Sequence, residues 1–282
     1  MPKNSWVSGA VMPRSGSRSY IIRQHVMRYV FAGKFVEAKS VLDIACGIGY
    51  GSSYLMEKGA KNVVGGDISK EVMEYANVHY GKNLEFVRLD VMNLPLPKNT
   101  FDIIISFETI EHLQKIECFM KEVLRVLKSN GMFICSTPNI KYSFHPNYHI
   151  KEFAQNEFFE LMENYFLHVD RFAQSITLKE RILEVLKMRL NPLKLLNLAL
   201  VLISVFHITK VMKTLYTRIA RASNIFYSVR DTYKITKDDE KFYGGHSVVK
   251  LKNKSYKKLC RIMVALCTYP RTQRASKPQG TI

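Results

Sequence analysis

The sequence is short of acids, of tryptophan and of paired cysteines. Its 282 residues hold 24 Asp/Glu against 42 Lys/Arg, a formal charge of +18, and one Trp. Nothing in the composition suggests disorder or a fibrous repeat, and with 47% apolar residues the chain can bury a substantial core. The five cysteines, Cys46, Cys118, Cys135, Cys260 and Cys267, are odd in number and form no CxxC pair. This favours neither a disulfide framework nor a zinc site. Reduced, buried thiols are expected, and no metal site. Met1–Tyr20 lacks the apolar run of a signal peptide, so a cytoplasmic location is expected. The stretch Leu195–Thr209 carries no Asp, Glu, Lys or Arg for fifteen residues. That is short of the roughly 18 to 20 needed to span a bilayer. A buried helix or one lying in a membrane interface fits it better.

Charge is distributed unevenly. Residues 1–175 hold 20 Lys/Arg and 18 Asp/Glu, a net of +2, whereas residues 176–282 hold 22 and 6, a net of +16. Such asymmetry points to a polyanion or an anionic membrane surface beside the C-terminal part, or to lysines that keep a helical region soluble.

From Ser40 to Gln174, short apolar runs alternate with stretches of helical period. The runs Val41–Ala45, Asn62–Gly66, Leu84–Leu89, Asp102–Ser106 and Met132–Ser136 are continuous rather than alternating, as in strands of a parallel sheet covered on both faces. Between them, Tyr50–Lys58, Lys70–His79 and Gln114–Lys128 have apolar residues at helical spacing, and Asn130-Gly131 supplies a helix stop. A further helix, Glu152–Tyr165, and a strand, Phe166–Phe172, follow. This repetition predicts an α/β fold with a doubly wound, mostly parallel sheet. The expected organisation is an N-terminal segment and helix (1–39), a core (40–175), a basic helical insertion (176–230), the end of the core with its last strand (231–269) and a disordered tail (270–282).

The strongest local signal is Val41-Leu42-Asp43-Ile44-Ala45-Cys46-Gly47-Ile48-Gly49-Tyr50-Gly51, a buried strand running through glycines into a helix. Glycines there permit a tight turn and close approach of a ligand to backbone amides. A Gly-x-Gly turn also serves dinucleotides, but the dinucleotide fingerprint has a third glycine where this chain has Ser52. Asp43, at the end of the strand, would repel a pyrophosphate and suits a ligand bearing an ammonium group, such as S-adenosylmethionine (SAM). Asp67 ends the second strand twenty residues after Gly47 and can accept both hydroxyls of a ribose. Asp90 ends the third and can accept from an exocyclic amino group such as that of adenine. An isolated strand-end Asp more often caps a helix or forms a turn. Three in succession would line the ligand crevice of an open α/β sheet.

In order and spacing, VLDIACGIGYGSSYL, GGDIS, LEFVRLDVMNLPLPKNTFDIIISFETIEHL and VLKSNGMFICSTPN resemble the motifs of class I SAM-dependent methyltransferases. The likeness covers about residues 20–175. It is to the small-molecule branch that includes ubiquinone-pathway and glycan-biosynthesis enzymes. His25-Val26-Met27-Arg28-Tyr29 is similar to a His-x-x-Arg-Tyr helix of related sequences. The resemblance implies a seven-stranded Rossmann-like methyltransferase fold with a helical insertion. It also implies SAM contacts from Gly47, Gly49, Asp67, Ile68, Asp90, Val91 and Phe107. Tyr29, Asp43 and Ala45 complete the expected cofactor set, Ala45 standing where many members have glycine.

Glu108, Glu111 and His112 follow the fourth strand, and His112 suits a general base because its ordinary pKa lies near working pH. Alternatively, Glu111-His112 caps the next helix. His149, in the cluster His145-Pro146-Asn147-Tyr148-His149, matches a His of related sequences; Glu108, His112 and His149 are the candidate catalytic residues. The resemblance places His246–Leu251 as the seventh, antiparallel strand. The expected activity is methyl transfer from SAM, most readily to an oxygen of a small-molecule, glycan or lipid-linked acceptor. The insertion is expected to select the substrate and rest on the inner face of an anionic membrane, or to be a plain helical lid. An RNA methyltransferase and a non-catalytic SAM-binding protein are the alternatives. Against the first, Ser106-Phe107-Glu108-Thr109 stands where an Asn-Pro-Pro-Tyr motif would serve exocyclic amines.

Overall fold

The computed structural model describes residues 20–142, 149–174, 248–250 and 262–271. The chain divides into two units, Met1–Ile176 with Thr232–Ile282, and Thr177–Asp231; every described residue belongs to the first. The expected insertion at 176–230, the cluster at His145–Tyr148 and the tail after Arg271 lie outside the described residues.

Helix α1 (Tyr20–Ala32) precedes an alternation of strands and helices: β1 (Ser40–Ile44), α2 (Tyr50–Glu57), β2 (Asn62–Asp67), α3 (Lys70–Tyr80), β3 (Glu85–Arg88), β4 (Phe101–Phe107), α4 (Ile116–Val126), β5 (Leu127–Pro138), α5 (Gln155–Tyr165) and β6 (Phe166–Gln174). Two more strands, β7 (Val248–Lys250) and β8 (Ile262–Pro270), complete one sheet of order β3-β2-β1-β4-β5-β8-β6-β7. Strands β3, β2, β1, β4 and β5 pair in parallel, and β8 runs antiparallel to both β5 and β6.

Alternation along each central strand feeds two cores. Val41, Val63, Ile103, Ile105 and Ile134 pack on one face with Val26, Tyr54, Leu55, Val72 and Met73. Leu42, Ile44, Val64, Ile104, Phe133 and Cys135 pack on the other with Phe119, Met120, Val123, Phe158 and Phe159. Strands buried on both faces need apolar residues at nearly every position, as β4 shows, whereas the edge strand β3 is buried only at Phe86 and exposes Glu85 and Arg88. The stripe on α4 stays apolar because Phe119, Met120, Val123 and Val126 are all buried at helical spacing.

Two boundaries differ from expectation. Helix α4 stops at Val126, before Asn130-Gly131, because Leu127 turns to extended backbone (φ −76°, ψ 139°) and opens β5. The antiparallel strand inside the sheet is Ile262–Pro270, not His246–Leu251. An interior strand must be apolar on both faces, and Ile262 to Cys267 are all buried. The expected segment supplies only Val248–Lys250, an additional edge strand beside β6. There Lys250 Nζ reaches Asp170 Oδ1 at 2.6 Å, a charged pair of the kind that suits an exposed edge. The seven-stranded sheet is thus present, with an eighth strand added.

Candidate active site

The turn after β1 is held in left-handed backbone at three residues: Ala45 (φ 55°), Gly47 (φ 57°) and Gly49 (φ 89°). L-residues pay for this conformation and glycine does not, which explains glycine at two of the positions. Ala45 occupies the third despite its Cβ. At Gly51 the requirement is space instead, since a Cβ there would lie 2.1 Å from the Tyr29 ring. Removing that atom lets α1 press Tyr29 against the start of α2.

Tyr29 is buried, edge-on to Tyr50 and Phe107 at centroid separations of 5.6 and 5.2 Å. Its hydroxyl donates to the Asp43 carboxylate, 3.3 and 3.2 Å from the two oxygens, and Ser52 Oγ donates to Asp43 Oδ2 at 2.7 Å. With 1% of its surface exposed, Asp43 braces the turn from beneath. This modifies the expectation of an open carboxylate facing a ligand ammonium, because the phenol of Tyr29 covers it. Burial raises the Asp43 carboxyl from its ordinary 3.8 to about 7, against the lowering effect of the Ser52 and Tyr29 hydrogen bonds.

Asp67 stands across the turn. Its Oδ2 accepts from Gly47 N at 3.2 Å and its Oδ1 from Ser69 N at 3.0 Å, so the carboxylate is fixed at the mouth of the glycine turn. Ile68 beside it is 63% exposed, an apolar side chain presented to solvent at the edge of the crevice. Asp90 lies two residues past β3. Its Oδ1 accepts from Met92 N at 2.9 Å, an Asx-type turn that keeps the carboxyl exposed. Val91 is packed in the second core and Phe107 in the first, where it closes the floor behind Tyr29. Asp43, Ala45, Gly47, Gly49, Asp67 and Phe107 are thus gathered at the carboxyl ends of β1, β2 and β4, while Asp90 and Val91 flank them beyond β3.

A second group sits after β4 and β5. Glu108 has left-handed backbone (φ 54°) and accepts from Ser136 Oγ at 3.2 Å. Arg28 Nη2 approaches its Oε1 at 3.9 Å. Glu111 is 1% exposed, and Thr137 Oγ1 donates to its Oε2 at 3.0 Å. Burial, and then the charge of Glu108, push its carboxyl well above the usual range. His112 and His149 meet edge to face at 5.2 Å, and His149 Nδ1 lies 3.1 Å from Glu152 Oε1. Glu111 and His112 belong to a single 3₁₀ turn, Ile110–His112, rather than capping a helix at Leu113.

A methyltransferase-domain family matches residues 42–135, the stretch that holds the turn, Asp67, Asp90 and Glu108. A probable SAM-dependent methyltransferase of Mycolicibacterium smegmatis is 29% identical over 159 residues, 54% of this chain and 61% of that protein. Residues 42–135 thus form a core similar to that of SAM-dependent methyltransferases. A ubiquinone biosynthesis O-methyltransferase of Pelagibacter ubique is 38% identical over 101 residues, 35% of this chain and 42% of its own. The chain therefore spans about three fifths or less of the length of these two relatives. The likeness of the methyltransferase core to known folds extends to a chain of the complex between the Haloferax volcanii Trm112 methyltransferase activator and a methyltransferase. The TM-score there is 0.54 at 15% identity, covering 90% of this chain and 93% of that one.

SAM fits the methyltransferase core on a feature of the chain itself. The turn leaves backbone without side-chain bulk at Gly47, whose amide is held by the Asp67 carboxylate at 3.2 Å, while the missing Cβ at Gly49 makes room for the core residue Phe86 instead. Arg28, which the sequence shows only as part of the His-x-x-Arg-Tyr helix, joins the site as well. It is almost fully buried, donating from Nη1 to Gln174 Oε1 at 3.0 Å and lying 5.8 Å from the Phe107 ring centroid. Its signal was there to see: an arginine set inside the apolar stripe of α1.

Proposed function

We propose that the protein transfers the methyl group of SAM to an oxygen of a small-molecule, glycan or lipid-linked acceptor. The observation that carries this reading is the convergence of two groups on one sheet edge, the glycine turn with Asp67 on one side and Glu108, His112 and His149 on the other. Gly47, Gly49 and Asp67 would hold SAM, with Ile68 and Asp90 beside its base. Bound there, SAM supplies a methyl group activated by a positively charged sulfur. The chain's own part is to orient an acceptor hydroxyl and take its proton, for which Glu108, His112 and His149 offer the acceptor atoms. Arg28 and Ser136 steer the Glu108 carboxylate.

The similarity of residues 42–135 to the methyltransferase family supports the chemistry, and the O-methyltransferase of Pelagibacter ubique supports oxygen as the acceptor atom. The net +16 of residues 176–282 supports an acceptor held at an anionic membrane surface on its cytoplasmic side. Among the described residues, no helix is long and apolar enough to cross a membrane. Calorimetric titration with SAM and with its demethylated product tests the cofactor. Mass spectrometry of candidate acceptors tests turnover, with a hydroxyl-bearing acceptor gaining one methyl. Sedimentation with anionic vesicles, before and after deletion of residues 178–225, tests the membrane. A salt-dependent shift on tRNA in place of these would favour an RNA acceptor.

A further inference from the structure

We propose that Glu111, His112 and His149 form a binding site for a divalent transition-metal ion at the carboxyl ends of β4 and β5. Each offers one ligand atom, and the three atoms lie within 4.8 Å of one another. Two imidazoles and a carboxylate are a donor set suited to zinc, iron or nickel rather than to magnesium or calcium, which prefer all-oxygen shells. Three protein ligands leave coordination positions open, the arrangement of a working metal site rather than of a structural one.

Two independent features point to a ligand. Glu111 Oε1 is fully buried and has no hydrogen-bond partner among the described residues, although Thr137 satisfies the other oxygen of the same carboxylate. A buried carboxylate oxygen left unmatched costs free energy, and a cation beside it removes that cost. His149 also has the outer partner that metal-bound histidines use: Glu152 Oε1 lies 3.1 Å from Nδ1 and fixes the ring. The loop is tied to the same place by backbone, since Ile150 N and Lys151 N donate to the Glu111 carbonyl at 2.9 and 3.0 Å. Metal–ligand bonds of about 2.0–2.2 Å require the three donor atoms to draw closer than 4.8 Å. His112 is exposed, and a rotation of its ring would close that distance.

The composition predicts no metal site, because metal motifs are read from cysteines and histidines at close spacing. Here Glu111-His112 and His149 come from separate loops that only β4, β5 and the loop pairing bring together. With the ion bound, His112 and His149 serve as ligands and the proton falls to Glu108; a role for the ion in gripping the acceptor oxygen rests on the reading of the previous subsection, and the site itself does not.

The test uses the full chain, stripped with a chelator and titrated with Co²⁺ and Zn²⁺. Calorimetry and the visible absorption of bound Co²⁺ are the readouts. One ion per chain is expected, with a Co²⁺ spectrum of mixed nitrogen and oxygen ligation. Glu111→Gln, His112→Ala and His149→Ala should each abolish that spectrum or weaken binding by at least tenfold. Glu152→Gln should weaken it about 10- to 100-fold. His168→Ala, whose ring packs on Tyr269, should change nothing. Because His112 is exposed, its alanine variant folds even if Glu111→Gln does not. Binding that persists in His112→Ala and His149→Ala, or no binding by the wild-type chain, overturns the site. SAM titration of the same samples reports the cofactor pocket separately, so failure of the metal site and failure of the methyltransferase reading give different results.

Discussion

At the carboxyl ends of β1 and β2, every carboxylate is answered from within the fold: Asp43 by Tyr29 and Ser52, Asp67 by the amides of Gly47 and Ser69. At the carboxyl ends of β4 and β5, Glu108 is held by Ser136 and faced by Arg28, while Glu111 keeps one buried oxygen unmatched. The first region is preorganised, its shape fixed by backbone and by buried hydrogen bonds. The second leaves one buried carboxylate oxygen unmatched among the described residues, the feature on which the proposed metal site rests. A donor pocket can be rigid because its ligand is always the same molecule, whereas the acceptor side must answer to a variable partner.

The sharpest way to break the comparison is through pH. The Asp43 carboxyl is raised to about 7 by burial, so the native state holds a proton that the unfolded chain releases near pH 4. Its stabilising contribution is fully present below about pH 4 and is lost as pH rises towards 7, at up to about 1.4 kcal/mol per pH unit. Asp43→Asn, neutral throughout, should flatten thermal stability between about pH 4 and 7. An unchanged profile would mean that Asp43 is ionised in the folded protein.

Next in size is Asp67→Ala. Losing charge-assisted hydrogen bonds of about 1.5–3 kcal/mol should weaken SAM roughly tenfold to hundredfold in calorimetry, with little change in metal affinity. Gly51→Ala sets a methyl group 2.1 Å from the Tyr29 ring. Overpacking of this kind costs about 1–3 kcal/mol, which urea unfolding should register together with weaker SAM binding. The smallest effect is a gain. Ala45→Gly relieves left-handed backbone (φ 55°) and should stabilise the chain by about 1 kcal/mol without altering SAM affinity.

Much of the first region was legible from residue order. The unbroken apolar runs marked five parallel strands, and the sequence Asp43 to Gly51 marked the turn, since its geometry is local and only a few residue types allow it. The antiparallel strand was misplaced because the resemblance pointed to His246–Leu251, while Ile262–Pro270 stood outside the runs read from the sequence. Which of them enters the sheet depends on burial on both faces, and Ile262 to Cys267 alone meet it. The second region was legible only in part. Glu108, His112 and His149 stood out as titratable residues near strand ends, yet nothing in their spacing shows that His149 and His112 touch, or that Arg28 turns inward towards Glu108.

By itself the sequence determined the alternation of strand and helix, the bulk-free turn after β1 and the acids that follow β1, β2 and β3, because hydrophobic period and backbone freedom act over a few residues. Tertiary structure alone decided that Tyr29 seals Asp43, that β8 lies between β5 and β6, and that Glu111 meets two histidines while one of its oxygens goes unmatched. These depend on how far water is excluded and on which distant loops meet, quantities that no short stretch of chain encodes.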